Sequence, residues 1–440
     1  MDELTRAGRL RVLAICCMSL LIVGMDNSIV NVALPSIHRQ LHASVSGLQW
    51  TVDAYTLVLG SLLLLAGSTA DRLGRRRTFQ TGLVVFVTGS LLCSLAPSLG
   101  WLVAFRMVQA VGGSMLNPVA MSIITNVFTD PKERARAIGV WGAMSGLSIG
   151  LGPLVGGALT DSLGWRAIFW VNVPVGIVAL LLAARYIPES RALRARAVDP
   201  VGQALILVVL ADLIYAIIDA PRAGLLSVGC GGCFLISAAA LLGFVLYERR
   251  HSEPLIDLRF FRSVPFSGAT VIAVCSLSAF AGFLFLNTLY LQEVRGFSAL
   301  HAGLFTLPLA GAVLVSAPLS GRRVAIRGPR PSLLIAGTAL CLGAALLIGL
   351  SDTTSLVWVA ASYVIFGIGF GTVNAPITNT AVSGMPLSQA GTAAAVASTS
   401  RQTGMSLGVA IIGSIVNSGT GNVIGSHLTA ASHGAYIVIA

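Results

Sequence analysis

Long apolar stretches separated by short polar segments cover most of the chain. An apolar run of about 18 or more residues is typical of a transmembrane helix. By this rule the sequence predicts thirteen complete spans, and a fourteenth that begins near Ala435 and is cut short where the chain stops. The chain is therefore predicted to be an all-α membrane protein. The complete spans are predicted at residues 11–35, 46–68, 79–97, 100–126, 137–160, 166–187, 200–218, 225–247, 265–290, 302–320, 331–350, 354–379 and 389–416.

Charged residues are scarce and are distributed unequally between the two sides of these spans. The chain is 55% hydrophobic and 10% charged, with a net charge of +11, whereas a soluble domain carries about 25% charged residues. When the segments between spans are assigned to alternate sides, 22 of the 28 basic residues fall on the N-terminal side. Because basic loops favour the cytoplasm, this pattern predicts a cytoplasmic N-terminus in the inner membrane of a bacterium. It assigns the basic residues to anionic lipid headgroups and argues against nucleic acid as a partner.

The order of spans and loops predicts three blocks with a weak internal repeat. Residues 1–190 carry six spans, 191–262 carry two, and 263–440 carry the rest. GSTADRLGRRR (67–77) follows the second span of the first block, and SGRRVAIRGPR (320–330) follows the second span of the last. Repeats of this kind are typical of membrane transporters. The pattern therefore indicates a transporter built from repeated six-helix units.

Two charged residues within the spans are candidates for proton coupling. Asp26 is the one charge between Val12 and Ile37, and a charge at the bilayer centre costs about 2.5–3.5 kcal/mol. We predict that Asp26 faces a central water-filled cavity and takes up and releases a proton. Arg106 on the fourth span is expected to control when that proton leaves. A static ion pair that only fixes the positions of the helices is the alternative.

Polar and aromatic side chains at helical spacing on several spans are candidates for substrate contact. Asp53 shares a face of the second span with Gln49 and Thr56, and a polar stripe follows Arg106 along the fourth span. An aromatic stripe on the ninth span suits a flat ligand, although such stripes also arise from simple packing. The candidates are Asp53, Asn31, Gln109, Asn117, Phe280, Phe283, Asn287, Tyr290 and Asn374.

Other polar residues in the spans suggest no further chemistry. Asp212 and Arg401 are buried charges without an assigned role, and a pair between them is one arrangement that the sequence permits. Cys230 and Cys233 form a CxxC pattern, but no second pair or histidine accompanies it, which favours packing. Because no phosphate-binding loop, nucleophile elbow or metal-ligand spacing is present, we expect neither an enzyme nor a cofactor. A proton gradient would then supply the energy.

Two glycine-containing segments are predicted to control backbone geometry. In the loop after the second span, Asp71 is expected to cap a helix or to pair with an arginine, and Gly74 permits the tight turn. In the fifth span, small residues let helices approach closely and a proline bends the helix. The loop set is Gly67, Asp71, Arg72, Gly74, Arg75 and Arg76, and the fifth-span set is Gly146, Gly150, Gly152, Pro153, Gly156 and Gly157.

Several segments together resemble the major facilitator superfamily, in particular its fourteen-span drug:proton antiporter branch. They are the 67–77 loop, MDNSIVNVALP (25–35), WTVDAYTL (50–57), FRMVQAVGGSMLNP (105–118), GLGPLVGG (150–157) and WRAIFWVNVPVG (165–176). The resemblance implies the major facilitator fold, with two six-helix bundles and two extra central helices between them, and transport by alternating access. It places the first-span and second-span acids at Asp26 and Asp53, the fourth-span arginine at Arg106, and the antiporter glycine-proline signature at Gly152, Pro153, Gly156 and Gly157.

The chain departs from that branch at three positions. Thr69 stands where the loop usually has leucine, and Ala325 replaces the aspartate in the second copy of the loop. Asp212 stands where an apolar or small residue is expected. We expect the loop to act as a latch in the first half only, and Asp212 to bear on the role of the extra helix pair.

The resemblance implies a monomeric exporter that exchanges external protons for a lipophilic, often cationic drug or antibiotic. Two alternatives remain. One is an exporter of a dedicated metabolite such as a self-made antibiotic, an amino acid or a siderophore. The other is a non-transporting sensor on the same fold, which would tolerate loss of Asp26 and Arg106.

Overall fold

The computed structural model describes residues 5–191, 199–224, 227–251, 254–383, 390–420 and 428–440, and all regular structure in them is helical. The first nine helices are α1 (Arg6–Leu41), α2 (Val45–Leu73), α3 (Arg75–Ser94), α4 (Leu99–Val127), α5 (Pro131–Leu163), α6 (Ala167–Trp170), α7 (Asn172–Tyr186), α8 (Pro200–Ala223) and α9 (Val228–Glu248). The remaining seven are α10 (Val264–Leu289), α11 (Ala299–Phe305), α12 (Leu307–Arg327), α13 (Pro329–Ala345), α14 (Leu356–Val382), α15 (Ala390–Thr420) and α16 (Leu428–Ile439).

Ten helical segments in the described residues are long and apolar enough to cross a membrane. They coincide with ten of the predicted spans, so the chain is a multi-pass membrane protein. The other four predicted spans correspond to α3, which begins with three arginines, to α15, which is rich in Ser, Thr and Gly, and to the shorter α13 and α16. α16 begins at Leu428, seven residues before the predicted start near Ala435. The predicted starts at 225 and 389 lie outside the described residues.

Two of the predicted spans are interrupted. The sixth is divided at Val171 into α6 and α7, and the tenth is divided at Thr306 into α11 and α12. Pro308 follows the second break; a proline has no backbone N–H, so a helix cannot run through it with all its hydrogen bonds intact. The ninth span continues from α10 into a π-helical turn, Tyr290–Val294. That turn carries residues that contact the first half of the chain.

The helices pack as a first half, α1–α7, and a second half, α10–α16. Within the first half α1 packs on α5, and α4 packs on α2 and α3; within the second half α10 packs on α15, and α14 packs on α12 and α13. The halves meet along two seams, one between α2 and α15 and one between α5 and α11–α12. α8 and α9 pack on each other, and α8 also contacts both α2 and α15.

Several polar contacts between the halves lie at the end of the helices opposite the basic loops, which we call the outer end. Arg39 forms an ion pair with Glu293 at 3.2 Å, and Gln292 Nε2 donates to the Val32 carbonyl at 2.8 Å. The Asp161 carboxylate accepts hydrogen bonds from the first two backbone N–H groups of α11, at 3.1 and 2.9 Å. These contacts hold the halves together at the outer end.

The loop between α2 and α3 is held within the first half. Asp71 pairs with Arg75 at 3.1 Å, which is the second of the two arrangements predicted for it. Gly74 ends α2 and begins α3 with φ +113°, a conformation that favours glycine. Glu189, which the sequence analysis did not single out, accepts from the Arg76 backbone N–H at 3.1 Å and lies within 4.0 Å of the guanidinium groups of Arg76 and Arg77.

Candidate functional site

A buried ion pair joins Asp26 on α1 to Arg106 on α4 inside the first half. The Arg106 guanidinium donates from Nη1 to Asp26 Oδ2, and the two residues are 0% and 1% exposed. Asp26 therefore does not face a water-filled cavity in this structure, contrary to the sequence prediction. The reason is that α4 and α7 cover this face of α1 and supply its hydrogen-bond donors.

Two amide side chains complete the surroundings of the Asp26 carboxylate. Gln109 Nε2 and Asn172 Nδ2 both donate to Oδ1 at 2.9 Å. Each amide also donates to Ser90 Oγ, at 3.2 and 3.1 Å, and Ser90 donates to the Phe169 carbonyl at 2.9 Å. We call Asp26, Arg106, Gln109, Asn172 and Ser90 the carboxylate network; all five are buried.

Arg106 is fixed by contacts on its other sides as well. Its Nε donates to the Thr51 carbonyl on α2 at 3.2 Å, and its guanidinium carbon lies 4.1 Å from the centre of the Tyr55 ring. Such a cation–π contact is strongest when it is removed from water. The network thus joins α1, α2, α3, α4 and α7, and an ionised Asp26 has a donor for each oxygen. Gln109, predicted to contact substrate, instead belongs to this network.

Asp53 on α2 has different surroundings, at the seam between the halves. It is 0% exposed, and neither carboxyl oxygen has a hydrogen-bond partner in the described residues. Its neighbours on the same face of α2 contact α15: Gln49 Nε2 donates to the Ala410 carbonyl at 2.8 Å, and the Thr56 and Ser406 hydroxyls are hydrogen-bonded. Burial of a carboxylate without a partner is costly. The seam therefore favours a neutral Asp53 carboxyl while it stays closed.

The aromatic stripe on α10 is packed inside the second half. Phe280 stacks on Phe370 with ring centres 3.7 Å apart, and Phe283 stacks on Phe366 at 4.0 Å. Tyr290 donates to the Ser351 carbonyl at 2.7 Å. Because these side chains are buried, they present no free ring face to a ligand in this structure. The expected ligand stripe is here a packing contact between α10 and α14.

Asn287, on the same face of α10, also has protein partners. Its Nδ2 donates to the Phe283 carbonyl at 2.8 Å, and its Oδ1 accepts from the Tyr436 hydroxyl of α16 at 3.0 Å. Nearby Tyr363 on α14 is buried, and its hydroxyl has no hydrogen-bond partner in the described residues. These polar side chains of the second half are uncharged, unlike those of the carboxylate network.

Three asparagines predicted to contact substrate keep unused polar capacity. Asn31 is buried; its Nδ2 donates to the Asn27 carbonyl at 3.1 Å, and its Oδ1 is unpartnered within the described residues. Asn117 on α4 and Asn374 on α14 are partly exposed, and Oδ1 of Asn117 also has no described partner. Unlike the α10 stripe, Asn117 and Asn374 are accessible to a ligand, whereas Asn31 is not.

Asp212 and Arg401 do not form a pair. The Arg401 guanidinium donates to the Thr378 hydroxyl of α14, whereas Asp212 on α8 lies in hydrogen-bonding contact with Cys233 on α9. The permitted pairing is therefore wrong, because α15 turns Arg401 toward α14 and away from α8.

The glycines of α5 form part of both intra-half and inter-half contacts. A Cβ on Gly152 would collide with the Ser28 hydroxyl of α1, and a Cβ on Gly156 would lie 2.6 Å from Ile29 Cγ1. A Cβ on Gly157 would lie 2.5 Å from the Ala299 carbonyl oxygen at the start of α11. Pro153 contributes the carbonyl against which Gly303 of α11 packs. Gly146 and Gly150 have looser contacts with α12.

The chain matches the Major Facilitator Superfamily over residues 16–409. Multidrug resistance protein Stp of Mycobacterium tuberculosis is 36% identical over 414 residues, which are 94% of this chain and 77% of that protein. Tetracenomycin C resistance and export protein of Streptomyces glaucescens is 36% identical over 92% of this chain and 75% of its own length. Multidrug efflux pump LfrA of Mycolicibacterium smegmatis is 34% identical over 92% and 80%.

A solved structure confirms the fold. The crystal structure of a bacterial homolog of the human lysosomal transporter Spinster, inward-facing and unoccupied, superposes with a TM-score of 0.68 at 18% identity, over 99% of this chain and 95% of that one. The chain therefore belongs to the major facilitator superfamily. It is an all-helical, multi-pass transporter and not an enzyme.

Proposed function

We propose that the protein is a proton-coupled antiporter that exports lipophilic drugs or antibiotics from the cytoplasm by alternating access. One observation carries the proposal: two carboxyl groups within the spans have opposite surroundings in the same structure. The Asp26 carboxylate is saturated with donors inside the first half, and Asp53 is sealed at the seam without one. Separation of α2 from α15 would admit water to Asp53 and let it ionise.

A gradient can drive this exchange. A membrane potential supplies about 2.3 kcal/mol per charge per 100 mV, and a proton gradient supplies about 1.36 kcal/mol per pH unit. A proton would bind to the Asp53 carboxyl, stay there while the seam is closed and leave after the seam opens. Its movement down the gradient would supply this energy to the conformational cycle. The relatives named as multidrug efflux pumps support a drug as the exported molecule.

The finer architecture is part of the same proposal. We assign fourteen spans, with a first bundle at 1–190, two extra helices within 191–262 and a second bundle at 263–440. The excess of basic residues on the N-terminal side supports a cytoplasmic N-terminus in the bacterial inner membrane. Both seams are formed by the two halves of one chain, which supports a monomer as the working unit. We assign lipid headgroups as the partners of the basic loops.

A dedicated antibiotic exporter is the second candidate. The relatives from Streptomyces glaucescens and Streptomyces alboniger are each named for resistance to a single antibiotic. A transporter of this type would use Asp26 and Asp53 for protons alone. Its substrate range, and not its proton coupling, would distinguish it from a multidrug exporter.

Everted vesicles with an acid interior test the proposal, with ethidium as the transported dye. We expect gradient-driven ethidium uptake by the wild type, and at least tenfold lower uptake with Asp26→Asn and with Asp53→Asn. Asp352→Asn is the matched control, because Asp352 is exposed in the loop before α14. Unchanged uptake in both span variants would contradict proton coupling through these residues. If wild-type vesicles take up no ethidium but their cells resist one antibiotic, the dedicated exporter is favoured.

A further inference from the structure

Arg401 is a charged residue inside a predicted span, and it does not belong to the carboxylate network. It lies on α15 (Ala390–Thr420), about 16 Å from the first residue of the helix at 1.5 Å per residue. Charged side chains at such depth pair with one another or face a cavity or substrate pathway. The surroundings of Arg401 decide between these possibilities.

Among the described residues, the guanidinium of Arg401 has one hydrogen-bond partner and no counter-charge. It donates to the Thr378 hydroxyl, while its Nε is buried without a hydrogen-bond partner in the described residues. Within those residues no carboxylate lies within 4.0 Å of it, since Arg401 takes part in none of the recorded ion pairs. A guanidinium presents five N–H donors in a planar fork. Most of this donor capacity is therefore free.

The contacts of neighbouring residues on α15 define the direction in which Arg401 points. Gln402 and Ser406 contact α2 across the seam, and Gly404 packs on α10 against Val274. Arg401 is directed between these two faces, toward α14. It lies on the side of α15 that the second half turns inward.

The receiving face of α14 opens toward the basic loops. Along it Gly367 and Gly371 pack tightly on α12, where a Cβ would collide with Leu309 and Ser316. One and two turns further, Asn374 is partly exposed and Thr378 is exposed. The polar end of this face, at Asn374 and Thr378, is thus accessible, whereas its glycine end is closed by α12. Arg401 reaches into this polar opening, and it is itself partly exposed.

Three other charged residues within the predicted spans are closed to a ligand in this structure. Asp26, Arg106 and Asp53 are completely buried. We infer that Arg401, with Thr378 and Asn374 beside it, binds an anionic oxygen of the transported molecule, a carboxylate or a phenolate. The inference rests on the proposed export function and names the substrate group that the second half recognises. A guanidinium pairs with a carboxylate through two parallel hydrogen bonds, and an amide and a hydroxyl supply further polar contacts.

Equilibrium binding of 5-carboxyfluorescein to the purified full-length protein tests the inference. We expect saturable binding to the wild type in fluorescence anisotropy, at least tenfold weaker binding to Arg401→Gln, and intermediate binding to Arg401→Lys, which keeps the charge but loses the planar fork. Arg222→Gln is the matched control, because this arginine at the end of α8 is exposed. Thermal melting of each variant verifies that it is folded.

Several results would overturn the inference. They are equal affinity of the wild type and Arg401→Gln, absence of saturable binding to the wild type, and equal weakening by Arg222→Gln. Displacement of the dye by phosphatidylglycerol, but not by soluble carboxylates, would assign the site to a lipid headgroup instead. Because no gradient is present, the measurement is independent of proton coupling. Ethidium uptake that persists in Arg401→Gln would separate recognition of the anion from the coupling machinery.

Discussion

At the scale of single residues, the carboxylate network gives both oxygens of Asp26 hydrogen-bond donors. They accept from a guanidinium and two amides, and hydrogen bonds to charged groups are worth about 1.5–3 kcal/mol each. Asn172 is the donor supplied by α7, so the network ties α1 to α7 as well as to α4.

Asn172→Leu tests this role. The change removes one of the three donors to the Asp26 carboxylate, so we expect gradient-driven dye transport to fall about tenfold. Asn287→Leu is the control, because Asn287 is a buried amide of the second half whose partners are uncharged. It is expected to lower the melting temperature but to leave the transport rate of the folded protein near that of the wild type. An equal loss of transport per folded protein in the two variants would assign Asn172 to packing alone.

The residue types of the network could be predicted from the sequence only in part. Opposite charges within apolar spans are expected to pair with each other, and Asp26 and Arg106 do so. Asn172 lies in the segment WRAIFWVNVPVG (165–176), but its role could not be predicted, because an amide in an apolar segment does not reveal which helix it faces. The residues that meet here are 80 and 146 positions apart. Packing of three separate helices decides their contact, and no local pattern records it.

At the scale of the elements, hydrophobic periodicity predicted where helices lie but not how their faces are used. The α10 stripe has the spacing of a ligand surface, yet α14 covers it with stacked rings. The breaks at Val171 and Thr306 also went unpredicted, because hydropathy is continuous across them. By contrast, the small residues of α5 were correctly expected to permit close helix approach, and the contacts identify α1, α11 and α12 as their partners.

A substitution pair on α5 separates tight from loose glycine positions. Gly156→Leu would drive a side chain into Ile29, and overpacking of this kind costs about 1–3 kcal/mol or more. We expect a lower melting temperature and loss of dye transport. Gly142→Leu on the same helix is expected to preserve both, because no heavy atom lies within 4 Å of the Cβ position there. Equal damage by the two changes would show that helix flexibility, and not the α1–α5 contact, requires these glycines.

At the scale of the whole molecule, the two halves are joined at the outer end by few polar contacts. The Asp161 carboxylate holds the start of α11, and Arg39 holds the π-helical turn through Glu293. Partly exposed contacts of this kind are weak individually, which suits the opening of this interface that the proposed alternating access requires. The sequence alone did not suggest Asp161, Gln292 or Glu293, since charges near span ends are common.

Asp161→Ala should loosen the outer end. We expect the backbone amides of Ala299 and Leu300 to exchange their hydrogens about five- to tenfold faster in hydrogen-exchange mass spectrometry. The reason is that loss of the Asp161 hydrogen bonds lowers the free energy of local opening by about 1 kcal/mol. Asp352→Ala, which removes an exposed acid from another outer loop, is expected to leave exchange at α11 unchanged. Protection of α11 that persists in Asp161→Ala would mean that the glycine contacts alone close this end.

The position of α8 makes the two seams unequal toward the surrounding lipid. α8 packs on α2 and on α15, and so lies over one seam from the side of the bilayer. Among the described helices, neither α8 nor α9 packs in this way on α5 or α12. Of the two seams, the one between α2 and α15 is therefore covered by α8 on its lipid side, and the one between α5 and α12 is not. If the transported molecule reaches the protein from the lipid, we expect it to enter along α5 and α12.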